Sequence, residues 1–263
     1  MRLIRNTVVV IFAILVCALL FLKFSDNRAV EIARSFLATE FPAAFSNFRK
    51  LPKRPLADRF AEKGFYLGQP VLIRIFKEEN ILELWVNRNA KFELAMSYPI
   101  CAWSGELGPK QKDGDHQSPE GYYFISERNL NPNSSYYRAI NVGFPNAYDQ
   151  ALGRTGTFLM IHGSCLSAGC YAIKDAPMDD VYNAVLSAQA NGQTNIPMHI
   201  YPFRLTVENL TRHSKSPWIE FWKNLSEGDF IFSTTKQPPG VAVCGDKYSF
   251  DSTINTCTKV TSW

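Results

Sequence analysis

The feature that most narrows the fold begins at Pro70, where the spacing of apolar residues changes from helical to strand-like. Val71-Leu-Ile-Arg-Ile-Phe76, Ile81-Leu-Glu-Leu-Trp-Val86 and Lys91-Phe-Glu-Leu-Ala-Met96 are runs of strand length, separated by short polar turns at Lys77 to Asn80 and Asn87 to Ala90. Their pattern predicts a β-meander. Further strands are predicted at Tyr122 to Ile125, Thr157 to His162, Tyr171 to Lys174 and Met198 to Phe203. Helical spacing marks Met178 to Ala190, closed by Asn191-Gly192, and a shorter helix from Trp218 to Leu225. With 263 residues, of which 46% are apolar and 13% aromatic, the chain has enough material for one main packed domain and is not an intrinsically disordered protein. The longest polar connection, Ser104 to Glu120, is of the length that compact domains reserve for functional or mobile loops.

The N-terminus speaks about compartment. Asn6 to Leu22 is an uncharged, almost wholly apolar run of 17 residues, preceded by Arg2 and Arg5 and followed by Lys23. That is the layout of a targeting segment, either a signal anchor or a signal peptide, with everything after Ser25 exported. Cys17 within it reads as a membrane-embedded apolar residue. Residues 29–40 carry Ile32, Phe36 and Leu37 at helical spacing and end at Phe41-Pro42, as a stalk or helical lead-in would. The three N-terminal cations account for most of the net charge of +4, leaving +1 for the remainder. A nucleic-acid binder needs a basic face that this balance does not supply.

Chemistry concentrates in Ile161-His162-Gly163-Ser164-Cys165-Leu166-Ser167-Ala168-Gly169-Cys170-Tyr171, where a thiol and an imidazole stand on two strand ends joined by a seven-residue loop. A cysteine attacks as its thiolate, and a neighbouring imidazole carries the proton to a leaving amine. Gly163 and Gly169 allow close backbone approach, and the amides around Gly169 and Cys170 are candidates for an oxyanion hole. On these residues alone, catalysis and a structural strand-loop-strand with buried thiols stand about equal.

Several ordered segments raise that balance. Ile73-Arg-Ile-Phe76, Pro99 to Lys110, Gly114-Asp115, Pro119-Glu-Gly-Tyr122, Asn131-Pro-Asn-Ser134, Pro145 to Asp149, Gly153-Arg-Thr-Gly156, the His162 to Cys170 block and Phe203 together resemble the L,D-transpeptidase catalytic domain (YkuD-like) family, in its YafK-like branch. The resemblance runs from about Phe65 to Thr206. It implies an α+β, β-rich domain of the L,D-transpeptidase type, sandwich- or barrel-like, with a few peripheral helices. It implies a bacterial envelope enzyme acting on peptidoglycan stem peptides, with Cys170 as nucleophile and His162 as its base, and no cofactor. One position departs: the wider family has histidine where this chain has Ala168, which keeps the backbone amide and loses a side chain.

The domain expectations are 1–24 for the targeting segment, 25–64 for the lead-in, 65–235 for the catalytic domain and 236–263 for a C-terminal tail. Reserving Cys170 as a free thiol leaves four exported cysteines. Cys244 and Cys257 lie in a tail with Pro238, Pro239, Gly240 and Gly245, and are expected to form a disulfide in an oxidising periplasm. Cys101 and Cys165 are the residual pair. Arg154 could hold a substrate carboxylate through its planar fork, or be a surface residue in its Gly153 to Gly156 turn. His116 reads as a solvated loop residue, and His199 and His213 as structural. No Cys/His grouping has zinc-ligand spacing, so no metal is expected.

The expected function is cysteine acyl transfer at a diaminopimelate-type centre of a stem peptide, in the periplasm and tethered to the inner membrane. The acceptor decides between cross-linking or protein attachment and hydrolysis that releases a wall-bound lipoprotein. The alternative is a catalytically silent peptidoglycan-binding scaffold, for which Ala168 is the sequence support.

Overall fold

β1 (Val71–Phe76) is buried along its whole length in the computed structural model, which describes residues 54–251 and 257–261. The reason is its place in the middle of a five-stranded sheet of order β3-β2-β1-β9-β4. A strand covered on both faces has no need of alternation, whereas edge strand β3 (Lys91–Pro99) alternates exposed and buried positions. β2 (Ile81–Arg88) pairs antiparallel with both. The β2–β3 turn is Asn89-Ala90, both at positive φ, the conformation a two-residue hairpin of this twist requires. β1 runs parallel to β9 (Ile196–Tyr201), which pairs antiparallel with β4 (Gly121–Ile125).

The second sheet, of four strands, contains β5 (Leu130–Ser134), β6 (Tyr137–Asn141), β7 (Met160–His162) and β8 (Tyr171–Ala172) in that order. Ile73 and Ile75 of the first sheet and Ile140, Ile161 and Tyr171 of the second belong to one apolar core. α3 (Asp175–Ala190) adds Met178, Val181, Val185 and Ala188 to it, at the spacing of one helical face. Short helices α1 (Leu56–Ala61), α2 (Ala147–Ala151) and α4 (Val207–Arg212) complete the periphery.

Two elements differ from the sequence expectation. α5 spans Ile219–Thr235, well past Leu225, and runs through Gly228. A side chain there would collide with Phe250 and the Tyr122 hydroxyl, so the glycine marks close packing rather than a helix end. The expected C-terminal tail contains a three-stranded sheet, β10 (Val241–Cys244), β11 (Lys247–Phe250) and β12 (Thr258–Lys259). Val241, Val243 and Tyr248 are buried in the core cluster that also holds Trp222 and Leu225 of α5. Asn224 and the Tyr248 backbone exchange two hydrogen bonds, at 3.0 and 2.8 Å. Cys244 and Cys257 are joined as a disulfide, with Cα atoms 4.6 Å apart.

The elements from Leu56 onward form one compact unit. The apolar run at Asn6 to Leu22 and the helical pattern at 29–40 lie outside the described residues. Among the described residues no helix is long and apolar enough to cross a membrane.

Candidate active site

His162 ends β7 and Cys170 immediately precedes β8, and the two strands are parallel with Ile161 opposite Tyr171 and His162 opposite Ala172. Continuing that register by one residue sets Cys170 opposite Met160. His162 and Cys170 therefore stand on adjoining ends of parallel strands, and the Met160 backbone reaches the Cys170 thiol. Ile161 and Tyr171 belong to the core and anchor the arrangement.

His162 is buried, and its ring stacks on Tyr136 with centroids 4.9 Å apart. Its Nδ1 lies 2.5 Å from the carbonyl oxygen of Gly163. A carbonyl only accepts, so Nδ1 carries the hydrogen and Nε2 is left with the lone pair, the form a base needs. Burial holds the imidazole below its ordinary pKa of 6.5, opposed by that hydrogen bond. Gly163 is required for close approach: a side chain there would meet the Asp175 carboxylate at 2.6 Å and the Tyr136 carbonyl at 2.9 Å.

Cys170 is the free cysteine among the described residues and is half-buried. Its Sγ sits 3.7 Å from the Phe158 carbonyl. Burial raises the thiol above its ordinary value, opposed by a hydrogen bond from the Met160 backbone and by the charge of Lys110. The resting pair is therefore neutral thiol and neutral imidazole near pH 7, and proton transfer accompanies attack rather than preceding it. Phe158, whose carbonyl faces the thiol, has its side chain 73% exposed and stands at a positive φ that few aromatic residues adopt.

The loop between the pair is clipped to the body of the domain. Cys165 is joined to Cys101 by a disulfide, with Cα atoms 5.7 Å apart, and Ala102 and Ala172 form a β-bridge beside it. The long Ser104 to Glu120 connection is likewise fixed. Lys77, completely buried, donates to the carbonyls of Glu106 and Gly108 at 3.1 and 2.9 Å and to Glu120 Oε1 at 2.9 Å. Glu120 also accepts from Gly108 N–H at 2.7 Å and from Trp222 Nε1 at 2.9 Å. Lys110 pairs with Asp115, whose carboxyl is drawn down to about 2 by that ammonium and by three backbone N–H groups, against its own burial. These contacts make the connection a wall rather than a mobile lid.

Two of the expected site groups have partners within the protein. The Gly169 amide is engaged: its N–H donates to Ser104 Oγ at 2.5 Å, which leaves Cys170 N–H as the other of the two expected oxyanion donors. Arg154 is not a surface residue: its guanidinium is buried, paired with Asp149 at 2.9 Å and packed over the Tyr148 and Phe221 rings. Among the other histidines, His116 is exposed at positive φ, His199 is buried among aromatic rings, and His213 stacks on Phe203 and faces Glu78. Among the described residues no three His, Cys, Asp or Glu side chains gather as metal ligands.

A mixed β-rich fold with a thiol and an imidazole on adjoining strand ends is the architecture of an acyl-transfer domain, and residues 70–209 match the L,D-transpeptidase catalytic domain (YkuD). The chain belongs to that family and is a peptidoglycan-related enzyme of the L,D-transpeptidase class. It is 47% identical over 182 residues to the Escherichia coli K12 protein named "Putative L,D-transpeptidase YafK", covering 69% of this chain and 74% of that one. Among solved structures, the helical cell shape determining protein Pgp2 of Campylobacter jejuni aligns at 18% identity with a TM-score of 0.41, over 73% of this chain and 81% of that chain. L,D-transpeptidase 1 of Mycobacterium tuberculosis aligns at 15% identity with a TM-score of 0.27, over 52% and 64%.

Proposed function

We propose that this chain is a periplasmic cysteine acyl-transfer enzyme that opens peptide bonds at a diaminopimelate-type centre of peptidoglycan stem peptides. Residues 1–24 would serve as its export segment and tether, with the catalytic domain in the compact unit from Leu56 onward. The observation that supports the reading is the placement of His162 and Cys170 on the adjoining ends of parallel strands β7 and β8. His162 Nε2 takes the thiol proton as Cys170 Sγ bonds to the carbonyl carbon, and Cys170 N–H receives the developing oxyanion. The C–N bond then breaks, the imidazolium proton passes to the departing amine, and a thioester remains on Cys170. An incoming water or amine, deprotonated by the same nitrogen, releases the acyl group.

Between the two acceptors, the site favours water. Holding a thioester for an amine in the presence of water at about 55 M calls for a closure that excludes solvent. Here the Ser104 to Glu120 connection is pinned in place by Lys77 and Lys110, and Leu166 and Ala168 of the loop before Cys170 are exposed to solvent. The expected activity is release of a wall-anchored lipoprotein from its stem. Incubating the protein with muropeptides that do and do not carry a lipoprotein peptide, with products read by mass, should show released peptide in excess of stem-to-stem dimers. Dimers alone would reverse the choice of acceptor.

A further inference from the structure

Three serines converge on the backbone around the nucleophile, two of them from the long connection that sequence reading treats as a loop. Gly169 N–H donates to Ser104 Oγ at 2.5 Å, and Ser104 Oγ lies 3.2 Å from Ser167 Oγ. The Cys170 carbonyl accepts from Ser167 Oγ at 2.8 Å and from Ser118 Oγ at 3.0 Å. Ser118 Oγ in turn accepts from Ser104 N–H at 3.1 Å. A single assignment of hydroxyl protons satisfies every contact: Ser104 donates to Ser167, while Ser167 and Ser118 each donate to Cys170. Tyr171 docks the same connection a second time, its hydroxyl donating to the Pro119 carbonyl at 2.7 Å.

Which peptide planes these bonds hold matters more than their number. Gly169 N–H belongs to the plane before Gly169, and the Cys170 carbonyl to the plane after Cys170. Between them lies the plane that carries Cys170 N–H. Gly169 sits at φ +116°, where a residue without Cβ gives that plane freedom to rotate. Pinning both neighbouring planes removes the freedom and fixes the direction of the Cys170 amide.

We infer that Ser104 and Ser118 are positioning residues, a hydroxyl latch that holds the Gly169-Cys170 peptide so that Cys170 N–H is aimed at the oxyanion before substrate arrives. Ser167 completes the latch from within the loop. The inference rests on Cys170 being the nucleophile. It assigns the Ser104 to Glu120 connection a task in catalysis, preorganising the donor, that differs from covering the site. The Lys77 and Glu120 pair then acts at one remove, by holding the connection that carries both serines.

Attack on a carbonyl needs the oxyanion donor, whereas alkylation by iodoacetamide at a tetrahedral carbon does not, and the full-length chain provides the test. Ser104→Ala, Ser118→Ala and the double variant should lose about 10- to 100-fold in kcat on a muropeptide substrate, with KM and the Cys170 alkylation rate held within about twofold. Ser104→Thr, which keeps the hydroxyl, should restore kcat, while the near-isosteric Ser104→Val should not. Kcat retained in Ser104→Val and in the double variant, with Cys170→Ala inactive, overturns the latch and leaves the nucleophile standing. Should the double variant fold poorly and lose alkylation too, Thr and Val at 104 still decide: equal rates for both overturn the proposal. Full activity in Cys170→Ala would instead remove the reading on which the latch rests.

Discussion

At the scale of single residues the resting charges of Cys170 and His162 set what the site does as pH changes. The thiol lies above its ordinary value of 9.0 and the imidazole below 6.5, both through burial, so each favours its neutral form near pH 7. For an acid with a raised pKa the thiolate fraction grows as pH climbs through that raised value. The rate of Cys170 alkylation by iodoacetamide is therefore expected to reach half its maximum above pH 9.0, followed by mass on the Cys170 peptide. A half-maximum near pH 6 would mean a preformed thiolate-imidazolium pair and contradict this account. The placement of His162 and Cys170 on adjoining strand ends was legible in sequence because both lie in one short block. Ser104 and Ser118 were not, since they act on a backbone 65 and 52 residues away and nothing local marks a serine that holds a distant amide. Arg154 misled for a similar reason: a turn flanked by glycines looks exposed, but Asp149 draws the guanidinium inward.

At the scale of elements, the fixed connection depends on a charge pair with no solvent access. Lys77 and Glu120 are both 0% exposed, and Glu120 receives Lys77, Gly108 N–H and Trp222 Nε1 on its two oxygens. Glu120→Gln removes the compensating charge and turns an NH2 group toward donors. The expected cost is about 3–5 kcal/mol of stability, the usual result of leaving one member of a buried pair alone, and thermal unfolding would measure it. A change below 1 kcal/mol would show that the pair does not hold the connection. Strands with continuous apolar runs, such as β1, were read correctly from sequence, as was the α3 face. The β5–β6 hairpin escaped notice because Asn131-Pro132-Asn133-Ser134 has the composition of a loop. It is a strand because β6 supplies the pairing, a tertiary fact that a local window does not contain.

At the scale of the molecule, the C-terminal sheet is part of the body that carries the site. Tyr248 receives hydrogen bonds from Asn146 Nδ2 at 2.9 Å and from Tyr122 N–H at 3.3 Å, tying β11 to the α2 cap and to β4. Deleting residues from Gly240 onward is expected to abolish cooperative unfolding, whereas replacing both Cys244 and Cys257 by serine should cost about 3 kcal/mol or less, the scale of a short closed loop. Equal effects of the two changes, read by thermal denaturation, would mean that the disulfide and not the packing retains the sheet. The central claim, that one thiol in this whole structure forms the covalent intermediate, is tested most directly by the mass of the intact protein during turnover of a muropeptide. A transient adduct equal to the acyl fragment, mapped to the peptide containing Cys170 and missing in Cys170→Ala, is the predicted result. Product formation with no adduct, or with undiminished rate in Cys170→Ala, would contradict it.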